Sequence, residues 1–341
     1  MRVATIGIDI SKHVFQVHGV SAAGEVVIQK RLRRAELLSF FEKLEPCLIG
    51  IEACGTSHPW ARQLTFLGHE VKLMPPSYVK PYVRRNKNDA ADAEAICEAV
   101  ARPTMRFVPI KTVEQQGVLI IHRVRSVLIR QRTMMANALR GHLAEFGIVA
   151  RQGLKAVREL GRMIDDIRQP LPDTVRYALR ALVAQLDEVE ERIREIEAQL
   201  LAWHRTDETS RRLATIPGVG PITASAIAAT VADSSQFRSG REFAAWLGLV
   251  PRQRASGNRN VLSGISKRGD KYIRRLLISG ATAILRYSRA KPTQQRVWVN
   301  ALLERRPAKV AAVALANKNA RIVWALMAKK ECYQPPIAAA A

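Results

Sequence analysis

Cysteine is sparse and poorly arranged for metal or redox work. Cys47, Cys54, Cys97 and Cys332 form no C-x-x-C pair and have no neighbouring histidine ligands. That argues against a zinc site and a disulfide framework, and predicts reduced cysteines used for packing. Long apolar runs are missing too. None approaches the roughly 20 residues that a membrane span needs, and the opening "MRVATIGIDIS" has no signal-peptide core before its first acid. The expectation is a soluble, cytoplasmic protein with no membrane partner. Acid is the scarcer charge: 30 Asp plus Glu stand against 54 Lys plus Arg, a net charge of +24. Such an imbalance predicts a polyanionic partner. A hydrophobic content of 48% over 341 residues supports two or three domains with real cores rather than a disordered basic tail.

The chain reads as an α/β domain followed by all-α architecture. "RVATIGIDI", "HVFQVHGVS" and "EVVIQKRLR" are β-rich runs separated by turn signals, the pattern of three antiparallel strands. A helix in "RAELLSFFEKL", a strand in "CLIGIEAC", a helix in "HPWARQLTFLG" and a strand in "EVKLMPP" follow, and the domain closes near Pro109. Residues 110–205 are helical. Leu179, Leu182, Leu186, Val189, Ile193, Ile196 and Leu200 step by threes and fours, the a and d positions of a coiled coil. The arginine-rich helix upstream offers an intramolecular partner, so a hairpin and a dimer both fit, and they do not exclude each other. Residues 206–335 form a mainly α third region, and 336–341 a low-complexity tail expected to be unstructured.

Against the basic background, "RRNKNDAADAEAICEAV" places Asp89 and Asp92 three apart in a helix-forming run. That spacing stacks two carboxylates on one face, with β-carbons about 5–6 Å apart, where they repel unless a cation or proton lies between them. An isolated D-x-x-D is ordinarily a solvated first turn, which the helix dipole favours. Two further acids interrupt apolar strands: Asp9 in "IGIDIS" and Glu52 in "IGIEACGTS". An acid in a buried strand is costly unless it is paired or binds a metal. Four such carboxylates in one place would suit Mg2+, a hard cation with oxygen ligands, while arginines hold a substrate's phosphates.

The β-β-β-α-β-α layout with D…E…D-x-x-D resembles the RNase H-like (RuvC-like) fold of Holliday-junction resolvases. "GIDISK", "GIEACGTSHPWA" and "KNDAADAEAI" resemble the DEDD-type insertion-sequence transposases, a group that includes bridge-RNA-guided serine recombinases. The resemblance covers essentially the whole chain. It implies that Asp9, Glu52, Asp89 and Asp92 are catalytic metal ligands, with two Mg2+ ions as cofactor and Mn2+ able to substitute. It also implies donor and target DNA as substrates, an element-encoded bridge RNA as guide, and a homo-oligomer, dimer or tetramer, built through the coiled coil.

Two features of the third region bear on the chemistry. "IPGVGPITA" has the form of a helix-hairpin-helix turn, in which Gly218 and Gly220 would let backbone N–H groups approach a phosphate, or it simply joins two packed helices. "RQRASGNRNVLSGISKRGDKYIRR" reads as a polar loop with eight Lys and Arg and one acid, Asp270. Ser256 in its middle would ordinarily be a turn residue. The resemblance instead implies that Ser256, in the "SG" motif, is the nucleophile that becomes covalently joined to DNA. Ser263 and Ser266 are runners-up. A serine hydroxyl needs activation and no histidine lies nearby in sequence, so the expectation is that the acids and their metal meet Ser256 at one site, with Arg254, Arg259, Lys267 and Arg268 around the scissile phosphate. Without the resemblance, water is the natural nucleophile and a junction nuclease the alternative; a non-enzymatic nucleic-acid binder is another. The absence of a Cys/His finger or a recognition helix favours guidance by RNA. Its expected grip is the basic face carrying Arg123, Arg125, Arg130, Arg132 and Arg140, together with Arg84, Arg85 and Lys87.

Overall fold

A computed structural model of the chain describes residues 2–83, 88–151, 153–231, 233–256, 259–287 and 294–335. It divides into two compact units, Met1–Thr112 and Val113–Ala341. In the first, β1 (Thr5–Ile10), β2 (Val14–Val20) and β3 (Val26–Arg33) form an antiparallel meander. After α1 (Leu37–Phe41), the strands β4 (Leu48–Glu52) and β5 (Glu70–Met74) join β1 in parallel, linked through α2 (Ser57–Phe66). The order across the mixed sheet is β3-β2-β1-β4-β5. A short α3 (Pro76–Val79) leads towards α4 (Asp89–Val100).

Period-two alternation decides the layers. Ile6 and Ile8 of β1 and Ile49 and Ile51 of β4 are fully buried in one core with Leu37, Phe41, Trp60 and Leu64 of α1 and α2. Each such side chain contributes about 1.5–3 kcal/mol on burial. The residues between them, Gly7 and Gly50, face the opposite side, where α4 lies. Met74, Ala95, Ile96, Ala99 and Val100 make a second core on that side.

The second unit begins with two long helices, α5 (Val113–Glu145) and α7 (Asp173–Thr206), joined through α6 (Leu154–Asp165). They run antiparallel: Arg125 bonds Glu197 at 2.8 Å, and the Trp203 indole donates to Glu114 at 2.8 Å. Leu179, Leu186, Ile193 and Leu200, seven apart, are buried, while Leu182, Val189 and Ile196 are half-buried. The α7 stripe is therefore occupied within the chain. The loop from α6 to α7 is held by a buried arginine, Arg176, whose guanidinium donates to the carbonyls of Leu171, Ile164, Asp166 and Gln169.

The remainder comprises α8 (Glu208–Leu213), α9 (Pro221–Thr230), α10 (Gly240–Trp246), strands β6 (Pro251–Ser256) and β7 (Arg259–Ile265), then α11 (Lys271–Tyr287), α12 (Gln294–Leu303) and α13 (Ala308–Lys329) around a large apolar core. One expectation is corrected here: the serine segment, read from sequence as a loop, is a two-stranded antiparallel hairpin. Its strands are mostly polar and expose Leu262 and Val261, so they lack the alternation that marks a half-buried strand. The Gly257-Asn258 dipeptide, a hairpin-turn pair, was the available signal. The cysteine expectation is corrected in part. Cys47 and Cys97 are buried thiols, each pushed by burial up to about 11, but Cys54 and Cys332 are exposed.

Candidate functional site

The parallel register of β1 and β4 pairs Gly7 with Gly50 and Ile8 with Ile51. Two residues beyond each glycine, on the same face, stand Asp9 and Glu52. Over this face α4 approaches β1 so closely that a β-carbon on Gly7 would lie 2.2 Å from the Ala93 carbonyl oxygen and 2.4 Å from the Cys97 nitrogen. A β-carbon on Gly50 would lie 2.8 Å from the Val100 side chain. The close approach brings the first turn of α4 beside Asp9. Asn88 caps that turn by accepting from the Ala90 N–H at 3.1 Å, leaving Asp89 and Asp92 in the positively polarised first turn.

Carboxylate oxygens of Asp9, Asp89 and Asp92 lie within 4.8 Å of one another. Glu52, on the adjacent strand, is not part of that mutual set. Asp9, Asp92 and Glu52 are half-buried and Asp89 is exposed. Three carboxylates this close are suited to a divalent cation with oxygen ligands. Gly7 and Gly50 were not singled out from sequence, although the repeated I-G-I-[D/E] of "IGID" and "IGIE" carries them. Gly7→Ala is expected to push α4 off β1. It should lower the melting temperature by about 4–8 °C or more, as a backbone clash costing over a kcal/mol requires, with DNA cleavage lost in parallel. A variant that melts and cleaves like the parent would show that the helix can shift without disturbing the acids.

Ser256 ends β6, paired with Arg259 at the far end of the hairpin. The side chains of Arg254, Ser256 and Arg259 lie outside the described residues, as do Arg84, Arg85 and Lys87. At the near end the chain is pinned: the Ser266 N–H donates to Val250 O at 2.8 Å, and the buried Arg274 guanidinium donates to Leu247 O and Arg268 O at 2.8 and 3.1 Å. Lys267 takes a left-handed φ of 56°, uncommon for a residue with a β-carbon, and exposes its side chain beside that of Arg268. Ser263 donates across the hairpin to Arg252 O at 3.4 Å.

The "IPGVG" turn joins α8 to α9. Gly218, with φ 85°, packs inward, since a β-carbon there would touch Asn319, Ile284 and the Gly280 carbonyl at 3.2–3.3 Å. Gly220 is exposed with open space around it. Along α5, Arg123 and Arg130 are exposed, Arg132 is half-buried, Arg125 is held by Glu197, and Arg140 bonds Asn137 at 2.6 Å.

A buried polar network also escaped the sequence. His122 of α5 contacts Ser225 of α9 through Nε2 at 3.2 Å and Tyr272 of α11 through Nδ1 at 3.0 Å, and Ser225 donates to Ile222 O. Burial, and secondarily Arg125, push the imidazole down to about 4 from 6.5. Below pH 6.5 the unfolded chain binds a proton that the folded one refuses, so stability falls as pH drops towards 4. The loss from this group is roughly 2 kcal/mol by pH 5. The melting temperature of His122→Gln is expected to fall less between pH 7 and pH 5 than that of the parent; equal falls would refute the assignment.

The mixed sheet is consistent with an RNase H-like domain, and three acids gathered over its central strands fit the class of enzymes on that fold that act on phosphodiesters. Residues 6–148 match the DEDD transposase family of the IS110 type, and residues 210–296 match the Transposase IS116/IS110/IS902 family. A probable family 20 transposase of Pseudomonas aeruginosa is 51% identical over 98% of this chain and 100% of its own. The transposases for insertion sequence elements IS1111A of Coxiella burnetii and IS1328 of Yersinia enterocolitica are each 42% identical, over 96% and 94% of this chain and 91% and 96% of theirs. The chain belongs to the IS116/IS110/IS902 family of transposases, enzymes that cleave and rejoin DNA. Among its described residues no helix is long and apolar enough to cross a membrane.

Proposed function

We propose that this transposase cuts and rejoins donor and target DNA through a phosphoserine linkage at Ser256, with divalent metal held by Asp9, Asp89 and Asp92 and by Glu52 from the neighbouring strand. The observation that carries the metal reading is the convergence of the three carboxylates within 4.8 Å. Mg2+ bound there, singly or as a pair, would act as a Lewis acid on the phosphate and stabilise the entering and leaving oxygens. The chain's own contribution is positional: close packing of α4 on β1 holds the acids together, and the exposed Lys267 and Arg268 are available to phosphate.

In the serine step, Oγ of Ser256 bonds to phosphorus as one phosphorus–oxygen bond to a neighbouring sugar breaks. The hydroxyl proton passes to the leaving sugar oxygen. One phosphodiester replaces another, so attack by a sugar hydroxyl on the linkage rejoins DNA and restores the serine. In this reading residues 1–109 form the RNase H-like catalytic domain, 110–205 the helical hairpin and 206–335 the serine-bearing transposase domain.

The guide is element-encoded RNA held by the basic helix through Arg123 and Arg130, and the assembly is a homo-oligomer. Support for the oligomer comes from α5 rather than α7: Val113, Ile120, Val127 and Met134 recur every seven residues and are exposed, the spacing of a helix seam. The deciding experiment is recombination of donor and target DNA by pure protein with and without that RNA. Recombination that requires the RNA supports the reading; equal sequence-specific recombination after all RNA is removed would place site choice in the protein.

A further inference from the structure

A large cavity that the acids and the serine do not use lies at the base of the serine hairpin. It is a groove of about 1400 Å³, larger than the 300–1,000 Å³ typical of small-molecule sites. One face of α13, from Lys309 to Ala325, forms its floor, and Ser263, Gly264 and Ile265 of β7 form one border. A 16-residue helical interval makes that floor about 24 Å long, an elongated shape suited to a strand rather than a compact metabolite. The floor is tied to the hairpin directly, because the Asn317 side chain donates to Leu249 O at 3.1 Å, two residues before β6.

The chemistry of the lining is one-signed. Arg241, Lys309, Lys318 and Arg321 line the groove, with no Asp or Glu among the described lining residues. Trp298 lines the same groove, 37% exposed, with the Lys318 ammonium 4.6 Å over its ring. Between these, Val310, Val313, Ala314 and Ile322 offer an apolar surface. Cations along an apolar floor with an accessible indole are what a single strand needs, since phosphates follow the cations while unpaired bases lie against aromatic and aliphatic surface. A duplex, whose bases are already stacked, has no use for the apolar floor. A protein partner would need acids for the four cations.

We propose that this groove binds single-stranded DNA, the unpaired strand next to the cut made at the hairpin. The choice of DNA rests on the reading of Ser256 as the nucleophile, because the hairpin that carries Ser256 also borders the groove.

The test is the affinity of the full-length protein for a labelled oligothymidylate, its RNA counterpart and a duplex of equal length, by fluorescence anisotropy across a salt series. Trp298→Ala is expected to weaken oligothymidylate binding about five- to a hundredfold, and Trp298→Phe to recover most of it. Arg321→Glu at an exposed position, and Lys318→Glu at a half-buried one, with the melting temperature of that variant checked alongside, should each reduce the log–log salt slope by about 0.7. The duplex should be affected much less. Unchanged oligothymidylate affinity in all these variants would overturn the proposal. Loss of RNA binding with DNA binding intact would assign the groove to RNA, and a change of oligomeric state with intact DNA binding would assign it to a second copy of the chain; either refutes the inference. The two readings separate cleanly. If Ser256→Ala abolishes the protein–DNA adduct while Trp298→Ala binds like the parent, the nucleophile stands and the groove falls. If Trp298→Ala weakens binding while Ser256→Ala still forms the adduct, the groove stands and the nucleophile falls.

Discussion

Asp9→Asn is expected to lower strand cleavage by at least about a hundredfold while leaving DNA binding nearly unchanged. The carboxylate holds metal and the basic residues hold phosphate, so removing one leaves the other in place. Even partners of metal ligands are worth about 10- to 100-fold, and a ligand itself is worth more. Asp89→Asn and Asp92→Asn should behave alike, because all three oxygens share one locus. Glu52→Gln is the informative fourth: it is on the same sheet face but outside the mutual set, and full activity would remove it from the ligands. A readout independent of turnover comes from thermal unfolding. Mg2+ at a hundred times its dissociation constant should stabilise the parent by about 2.7 kcal/mol and leave Asp9→Asn unmoved. Cleavage that survives EDTA, or equal stabilisation of parent and variant, would sink the metal reading.

Ser256→Ala is expected to abolish the protein–DNA adduct that survives denaturation. Alanine has no hydroxyl to form the covalent bond, so the loss should be complete rather than graded. Ser266→Ala should weaken binding more than chemistry, since it removes a hydroxyl from the turn beside the exposed Lys267 and Arg268 while the backbone bond from the Ser266 N–H to Val250 O stays in place. An adduct mapped to another residue would move the nucleophile. Cleavage with no adduct at any stage would make water the nucleophile and the enzyme a metal-dependent nuclease.

What the sequence determined by itself was whatever its local pattern carries. A net charge of +24 called for a polyanion. The alternation in "IGIDI" and "IGIE" called for strands with an acid at their ends, and a seven-residue recurrence from Leu179 to Leu200 called for a long packed helix, found as α7. Family likeness could be read for the same reason, because short motifs survive as strings. The tertiary structure alone decided which of these features meet. Asp9 and Asp89 are eighty residues apart in number but share one locus, since Gly7 and Gly50 admit α4 to the sheet. The α7 stripe reads as a possible dimer seam, yet it is consumed by α5 and its neighbours, and the apolar heptad left exposed is on α5. The Ser256 hairpin lacks the alternating apolar pattern of a half-buried strand, so apart from the Gly257-Asn258 dipeptide it is the pairing of β6 with β7 that reveals it. The His122 network joins residues 103 and 150 positions distant. Periodicity reports what one element presents, but contacts between distant elements depend on how closely backbones can approach, and that is settled only when the chain is packed.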